Sequence, residues 1–248
     1  DDMRVAAEIQ RSMLPKASPT IDGYDVAAGT EPCRAVGGDY FDFHLTKDRL
    51  TFVLGDVSGK GTGAALIMTI LRAAVRDHWL DDDLMGALSE MNNLVTQNVP
   101  ANKYVTFFLG RLDLLTGHLE YVNAGHNAPI LSRGTGEVER LTTGGMVLGL
   151  FEDAMYETGT TNIDPHDRLV VFTDGFSETW NSKGEELGEE GLTKFVLGVP
   201  VIRRRATPTR SSKPRPQRRR GNDVSCRSPR PATLPLTLYW PSLYAGRG

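Results

Sequence analysis

Hydrophobic periodicity changes twice along this chain, and that limits the folds open to it. Gly23 to Ala28 and Leu50 to Leu54 read as strands. Residues 64–79 then place Ile67, Leu71, Ala74 and Val75 on one helical face, and Asp83 to Val99 form a second helix. Strand patterns return with Tyr104 to Leu112, His118 to Asn123, Ala128 to Ser132, Val138 to Leu141 and Asp167 to Thr173, punctuated by turns at Leu114–Gly117 and Gly134–Gly136. Two strand groups around a helical pair predict an α+β layered domain, not an alternating βαβ one.

The first strand group runs into LGDVSGKGTG, Leu54 to Gly63. An apolar strand there meets Asp56, and a glycine-rich turn leads into a helix, a place where metal and phosphate chemistry often sits. The turn falls short of a nucleotide-binding P-loop. Only three residues separate Gly55 from Gly59-Lys60, where that loop needs four, and Lys60 is followed by Gly61. Asp56 would also repel a nucleotide's phosphates unless a cation stood between them.

Charge divides the 248 residues unevenly. Of 28 Lys and Arg, twelve lie in residues 199–248, against one (Asp223) of 31 acidic residues; before them stand 16 basic and 30 acidic side chains, a formal charge of about −14. Nonspecific nucleic-acid binding by the acidic part is disfavoured. No apolar run approaches a membrane span. Two cysteines, Cys33 and Cys226, are too few for a thiolate metal site, so Asp, Glu or His must carry any metal. The chain begins at Asp1, as a piece of a longer protein would. Residues 198–248 form an atypical basic tail with eight of the fourteen prolines from residue 200 onward. It reads as disordered or as frameshifted text after GEEGLTKFVLG, a helix just getting under way, with a genuine basic tail as the alternative.

Asp56 and Asp174 each end an apolar strand beside a glycine, Gly55 before the one and Gly175 after the other, and Asp39 lies in the glycine-flanked VGGDYFDF. Charges at such places must be solvated, paired or bound to a cation. Three of them point to a hard-metal site with oxygen donors, with turn capping as the alternative for each. Asp42 lies three residues after Asp39, so in a strand only one of the two would face a shared site. Lys60 and His126 read as loop residues, the one facing solvent or a substrate phosphate, the other ordering a turn, with general-acid catalysis as its alternative.

Four motifs in order, VGGDYFDF, GDVSGKGTGAAL, YVNAGHNAP (Tyr121–Pro129) and FTDGFSE (Phe172–Glu178), together resemble the PPM/PP2C metal-dependent serine phosphatases, in their bacterial sporulation and stress-response branch. The likeness covers residues 5–195. It implies a four-layer α-β-β-α sandwich of two antiparallel sheets flanked by helices, with the C-terminal part here incomplete or aberrant. Residues 1–15, with AEIQRSMLP, resemble a linker or switch helix from an upstream sensory domain, and residues 16–197 the phosphatase domain.

The same resemblance implies two Mn²⁺ or Mg²⁺ ions. Asp56 would bridge them, the Val57 carbonyl and Asp39 would add ligands, and Asp174 would hold one ion from the facing strand; Asp56 and Asp174 would be the catalytic pair. A bridging hydroxide would then attack phosphorus in line. The family closes on an Asp-Asp-Ile/Val-Thr strand, for which Asn222-Asp223-Val224-Ser225 stands here, so Asp223 is the candidate last ligand. The implied substrate is a phosphoserine or phosphothreonine protein, an anti-sigma-factor antagonist by family habit. The implied setting is cytoplasmic, without membrane or specific nucleic-acid partner. Three alternatives stay open: a catalytically impaired domain that binds the same partner, a module dimerising through the N-terminal helix, and a nucleic-acid binder using the tail.

Overall fold

A computed structural model of the chain describes residues 2–31, 35–180, 185–198 and, as backbone alone, 232–239. In order the elements are α1 (Asp2–Met13), β1 (Asp25–Glu31), β2 (Tyr40–Leu45), β3 (Arg49–Val57), α2 (Thr62–Asp77), α3 (Leu84–Asn98), β4 (Val105–Asp113) and β5 (His118–Ala124). There follow β6 (Ile130–Ser132), β7 (Val138–Arg140), β8 (Gly144–Gly145), β9 (Gly159–Asn162), β10 (Arg168–Val171), α4 (Asp174–Ser177), α5 (Gly188–Gly198) and β11 (Ala232–Tyr239). Among the described residues no helix is long and apolar enough to cross a membrane.

Two sheets form. One runs β2-β3-β4-β5-β8, with β9 also paired to β5; the other runs β1-β11-β10-β6-β7. Their strand pairings are antiparallel apart from the two-residue parallel match of β5 with β8. Three apolar layers hold the stack. Phe41, Leu50, Phe52, Phe108, Leu131, Leu169 and Val171 fill the space between the sheets. Met68, Leu71, Leu88 and Met91 of α2 and α3 cover the outer face of the first sheet, against Val53, Phe107 and Val122. Leu192 and Val196 of α5 cover the second, against Ile130, Val170 and Phe172. The result is the expected four-layer α-β-β-α sandwich.

Covering on both faces explains why β3 reads as a continuous apolar run with no alternation. The four α2 residues expected inward, Ile67, Leu71, Ala74 and Val75, are all buried. Truncating fully buried Leu71 to Ala would cost about 2–5 kcal/mol. Asp83 starts α3 by accepting a hydrogen bond from the Met85 N–H at 3.0 Å.

Helix α1 packs only in part, and the tail departs from expectation. Along α1, Ala7 is buried, whereas Val5 and Ile9 are about half exposed. The helix is instead anchored at its C-terminal end, where the Arg72 Nε donates to the Met13 carbonyl at 2.9 Å and Leu14 packs against the core. Within the tail, Ala232–Tyr239 forms a strand between β1 and β10, where the proline-rich text predicts no regular structure. Pro235 is compatible with this because Leu234 pairs with Gly29 and Thr237 with Ala27, leaving Pro235 and Leu236 opposite Ala28 in a bulge. On the other side the ladder to β10 ends at Leu236. Proline is tolerated where no ladder N–H is required.

Candidate metal centre

Three loops at one end of the sandwich bring the site together. Asp56 lies inside β3, one residue before its end, opposite Thr106 of β4. The first residue of β2, Tyr40, pairs with Gly55. Continuing that antiparallel register one step sets Asp39 across from Asp56, about 4.5–5.5 Å apart at Cα. Asp174 arrives from the other sheet. The chain leaves β10, passes Phe172, and turns at extended Thr173 (φ −92°, ψ 164°) into the short helix α4, whose first residue is Asp174.

Electrostatics report the convergence. The Asp56 carboxyl is pushed up from 3.8 to about 8, first by burial and then by the charges of Asp39 and Asp174. A hydrogen bond with Asp39 raises it further, and only the Lys60 ammonium pulls it down. Without a cation, Asp56 therefore keeps its proton at neutral pH. Asp39 is itself buried.

The backbone around these carboxylates is tightly placed. A Cβ on Gly38 would stand 2.9 Å from the Val57 carbonyl oxygen, so only glycine lets the residue before Asp39 lie over that carbonyl. Both backbone polar groups of Gly37 are read by one side chain: Gln10 of α1 donates from Nε2 to the Gly37 carbonyl at 2.7 Å and accepts from its N–H at 3.0 Å. A cavity of about 330 Å³, bordered by Gln10, Arg11, Lys16, Thr30 and Asp39, opens beside this contact. Beyond Asp56, Gly59 and Gly61 take positive φ (99° and 76°) and let the chain double back into α2. Ser58 holds that turn to the start of β4, donating from its N–H to the Tyr104 carbonyl and accepting from the Tyr104 N–H, both at 2.9 Å. The Lys103 ammonium donates to the Ser58 carbonyl at 3.3 Å, while Lys60 stands exposed at the rim.

His126, in the turn after β5, is buried, and burial lowers its ring from 6.5 to about 4. Its Nδ1 lies 2.9 Å from Thr106 Oγ1. Asn123 shapes the turn, accepting from the His126 N–H at 2.7 Å and donating to the Leu141 carbonyl at 3.0 Å.

Asp39, Asp56 and Asp174 are thus brought together, and the Val57 carbonyl lies beneath the same loop. Asp42 is not part of the group. It is buried on the α2 side of β2, where it accepts from the Tyr40 hydroxyl at 3.0 Å and from Arg76 at 2.9 and 3.1 Å. Asp223 lies outside the described residues. Among the described residues no group of three or more His, Cys, Asp and Glu side chains is already arranged to hold a metal ion. The donor set nevertheless suits a hard divalent cation: oxygen donors only, crowded enough that one carboxyl holds its proton at neutral pH. Gln10, Thr106 and Thr173 are absent from the sequence-based site. The β3–β4 register is the one signal that would have found Thr106.

Comparison with known proteins identifies a family and a shared fold. Residues 46–207 match the family model for stage II sporulation protein E (SpoIIE). The phosphoserine phosphatase RsbU of Bacillus subtilis is 28% identical over 186 residues, 74% of this chain and 55% of that protein. The crystal structure of the RsbU and RsbW domains of Rv1364c from Mycobacterium tuberculosis superposes with a TM-score of 0.61 at 30% identity, covering 68% of this chain and 48% of that one. The SiaA PP2C domain of Pseudomonas aeruginosa shares the fold, with a TM-score of 0.68 at 22% identity over 79% of this chain and 80% of that one. The chain spans 35–55% of the length of the curated relatives it matches.

Proposed function

The chain belongs to the SpoIIE family, and from that membership we propose that it is a metal-dependent protein phosphatase that removes phosphate from phosphoserine on a regulatory protein. The observation that carries the reading is the crowding of Asp39, Asp56 and Asp174, which leaves Asp56 protonated unless a cation neutralises its neighbours. Asp39 and Asp56 would hold divalent ions from the first sheet, with the Val57 carbonyl as a further oxygen, and Asp174 would hold them from the second. Bound there, Mn²⁺ or Mg²⁺ supplies Lewis-acid activation of water and neutralises charge on the transferring phosphoryl group.

The chain's own residues then have separate tasks. Asp56 gives up its proton when the site is loaded, because the cations remove the repulsion that raised it. The Lys60 ammonium, exposed at the rim, attracts the incoming phosphate dianion. Neutral His126 stays out of the proton transfer. The phosphoprotein would be an anti-sigma-factor antagonist; the phosphoserine phosphatase RsbU and the pairing of an RsbU with an RsbW domain in the mycobacterial relative support that choice. Such a substrate places the activity in the cytoplasm, with α1 as the connection to an upstream sensory domain.

A second reading rests on α1, whose Met3, Val5 and Ile9 are exposed. That stripe favours a dimerising or partner-binding module without turnover. Phosphate release from p-nitrophenyl phosphate and from a phosphoserine protein separates the two. We expect turnover that requires Mn²⁺ and is lost in Asp56→Asn. A rate indifferent to Mn²⁺ and to Asp56→Asn would leave only the binding module.

A further inference from the structure

We infer that the cavity beside Asp39 is a subsite for the phosphoprotein itself, and that it takes an acidic side chain close to the phosphoserine. The inference rests on the phosphatase reading, which puts the phosphate at Asp39, Asp56 and Asp174.

The cavity is built into the fold. Its volume of about 330 Å³ is at the small end of ligand pockets, room for one or two side chains and not for a folded element. Three stretches meet around it: residues 10–17, residues 28–30 of β1, and the loop that carries Gly37 and Asp39. Hydrogen bonds tie these stretches to one another. Gln10 holds both backbone polar groups of Gly37, at 2.7 and 3.0 Å. The Ser18 hydroxyl accepts from the Ala28 N–H at 3.1 Å, and the bulge against β11 is what leaves Ala28 out of the ladder.

Charge selects the occupant. Arg11 and Lys16 both border the cavity, and both are exposed. Among the described residues neither makes an ion pair or a side-chain hydrogen bond. Two unengaged cations side by side stand out in residues 1–198, where acidic residues outnumber basic ones by 30 to 16. The one carboxylate among the described lining residues, Asp39, is the one the phosphatase reading gives to metal. An aspartate or glutamate of the substrate would meet two partners in the cavity, and a lysine or arginine would meet repulsion. Reach is no obstacle, because Asp39 belongs both to the cavity and to the metal centre and each peptide residue spans about 3.3–3.6 Å. Exposed ion pairs are individually weak, about two- to fivefold in affinity. The subsite therefore selects among phosphoproteins and adds little to turnover.

The test uses phosphoserine peptides of one sequence, with Glu, Gln or Lys on both sides of the phosphoserine, hydrolysed by the full chain in Mn²⁺. The reading is the ratio of KM for the Lys peptide to KM for the Glu peptide, which a fault in the metal centre alone leaves in place. The same ratio is taken from dissociation constants, by fluorescence anisotropy, on peptides carrying a hydrolysis-resistant phosphonate. Wild type should favour the Glu peptide by about 4–25-fold, two ion pairs together. Arg11→Gln and Lys16→Gln should each remove about two- to fivefold of that preference, and Arg11→Glu combined with Lys16→Glu should invert it. Lys47→Glu, in the turn at the other end of β2 from Asp39, is the control for bulk charge and should keep the ratio within twofold. A wild-type ratio near one, a ratio that survives the double reversal, or one that falls as far in Lys47→Glu would overturn the subsite and leave the phosphatase reading intact. A wild-type chain that hydrolyses no peptide in Mn²⁺ would overturn that reading and the subsite with it.

Discussion

Asp39 stands across from Asp56, one step past the last pair of the β2–β3 ladder, and the two carboxyls share a hydrogen bond. Like charges placed opposite each other in a sheet are destabilising, and here burial and Asp174 add to the strain. The pair is a local cost held in place by the rest of the fold, and a cation is what relieves it.

That cost predicts a stability inversion. The Asp56 carboxyl titrates near 8 in the folded chain against 3.8 unfolded, so between those values the folded state binds more protons and metal-free stability falls as pH rises. In EDTA at pH 7.5, Asp56→Asn is expected to unfold about 2–8 °C higher than wild type, corresponding to about 1–2 kcal/mol at this chain length. With Mn²⁺ at a hundred times its dissociation constant, wild type should gain about 2.7 kcal/mol and overtake the variant, which gains nothing. Calorimetric melting in EDTA and in Mn²⁺ checks both halves. A variant less stable than wild type in EDTA would show that Asp56 is not strained.

Asp42 should behave in the opposite way. It is buried and bonded to Arg76 and the Tyr40 hydroxyl. Removing one partner of such a group leaves the others unsatisfied and typically costs about 3–5 kcal/mol when the pair is fully buried. Arg76 is half exposed, so about 2–3 kcal/mol is the expectation for Asp42→Ala. Mn²⁺ affinity of the folded fraction should stay within twofold. Urea unfolding and metal titration on one sample distinguish this from a ligand's behaviour, which would show the reverse pattern.

How much of this is legible in the chain follows from where each signal resides. Asp56 and Asp174 are readable because each closes an apolar run beside a glycine, and a strand end of that kind is a conspicuous place for a carboxylate. The four layers are readable because the helical pair interrupts two strand groups. The facing of Asp39 and Asp56 depends on register, which no local spacing encodes. Thr106 and Gln10 are ordinary polar residues far from the motifs in sequence, and the folded backbone alone brings them in. β11 is hidden by its proline, which reads as a strand breaker until the bulge opposite Ala28 is known.

Gln10 offers a third test, at the joint between α1 and the Asp39 loop. Its amide makes two reciprocal hydrogen bonds with Gly37, two residues from Asp39. Each contributes about 0.5–1.5 kcal/mol, so Gln10→Ala should weaken Mn²⁺ binding by roughly 5–150-fold if the loop loses its order. Gln10→Glu keeps an acceptor for the Gly37 N–H but sets a carboxylate against the Gly37 carbonyl, and should fall as far or further. The measurement is the Mn²⁺ concentration at half-maximal phosphatase activity together with the dissociation constant. Unchanged values in both variants would show that α1 does not support the loop.

The last prediction uses the His126 ring as a stability probe. Burial lowers its folded value to about 4, against 6.5 in the unfolded chain. Below 6.5 the unfolded state takes up a proton that the folded state refuses. The stability associated with the neutral ring is therefore complete above pH 6.5 and drains away as pH falls toward 4, by about 3 kcal/mol in all. Asp56 contributes a slope of opposite sign over part of the same range, so absolute stability curves would blend the two. The difference between wild type and His126→Gln cancels Asp56 and isolates the ring. Measured by urea unfolding in EDTA at half-unit steps, the advantage of wild type over His126→Gln should be constant from pH 8 to 7. It should then shrink steadily below 6.5, as a neutral amide carries no proton to lose. An advantage that stays flat down to pH 4.5 would mean that the folded chain accommodates the imidazolium, and burial would not then be what keeps the ring neutral.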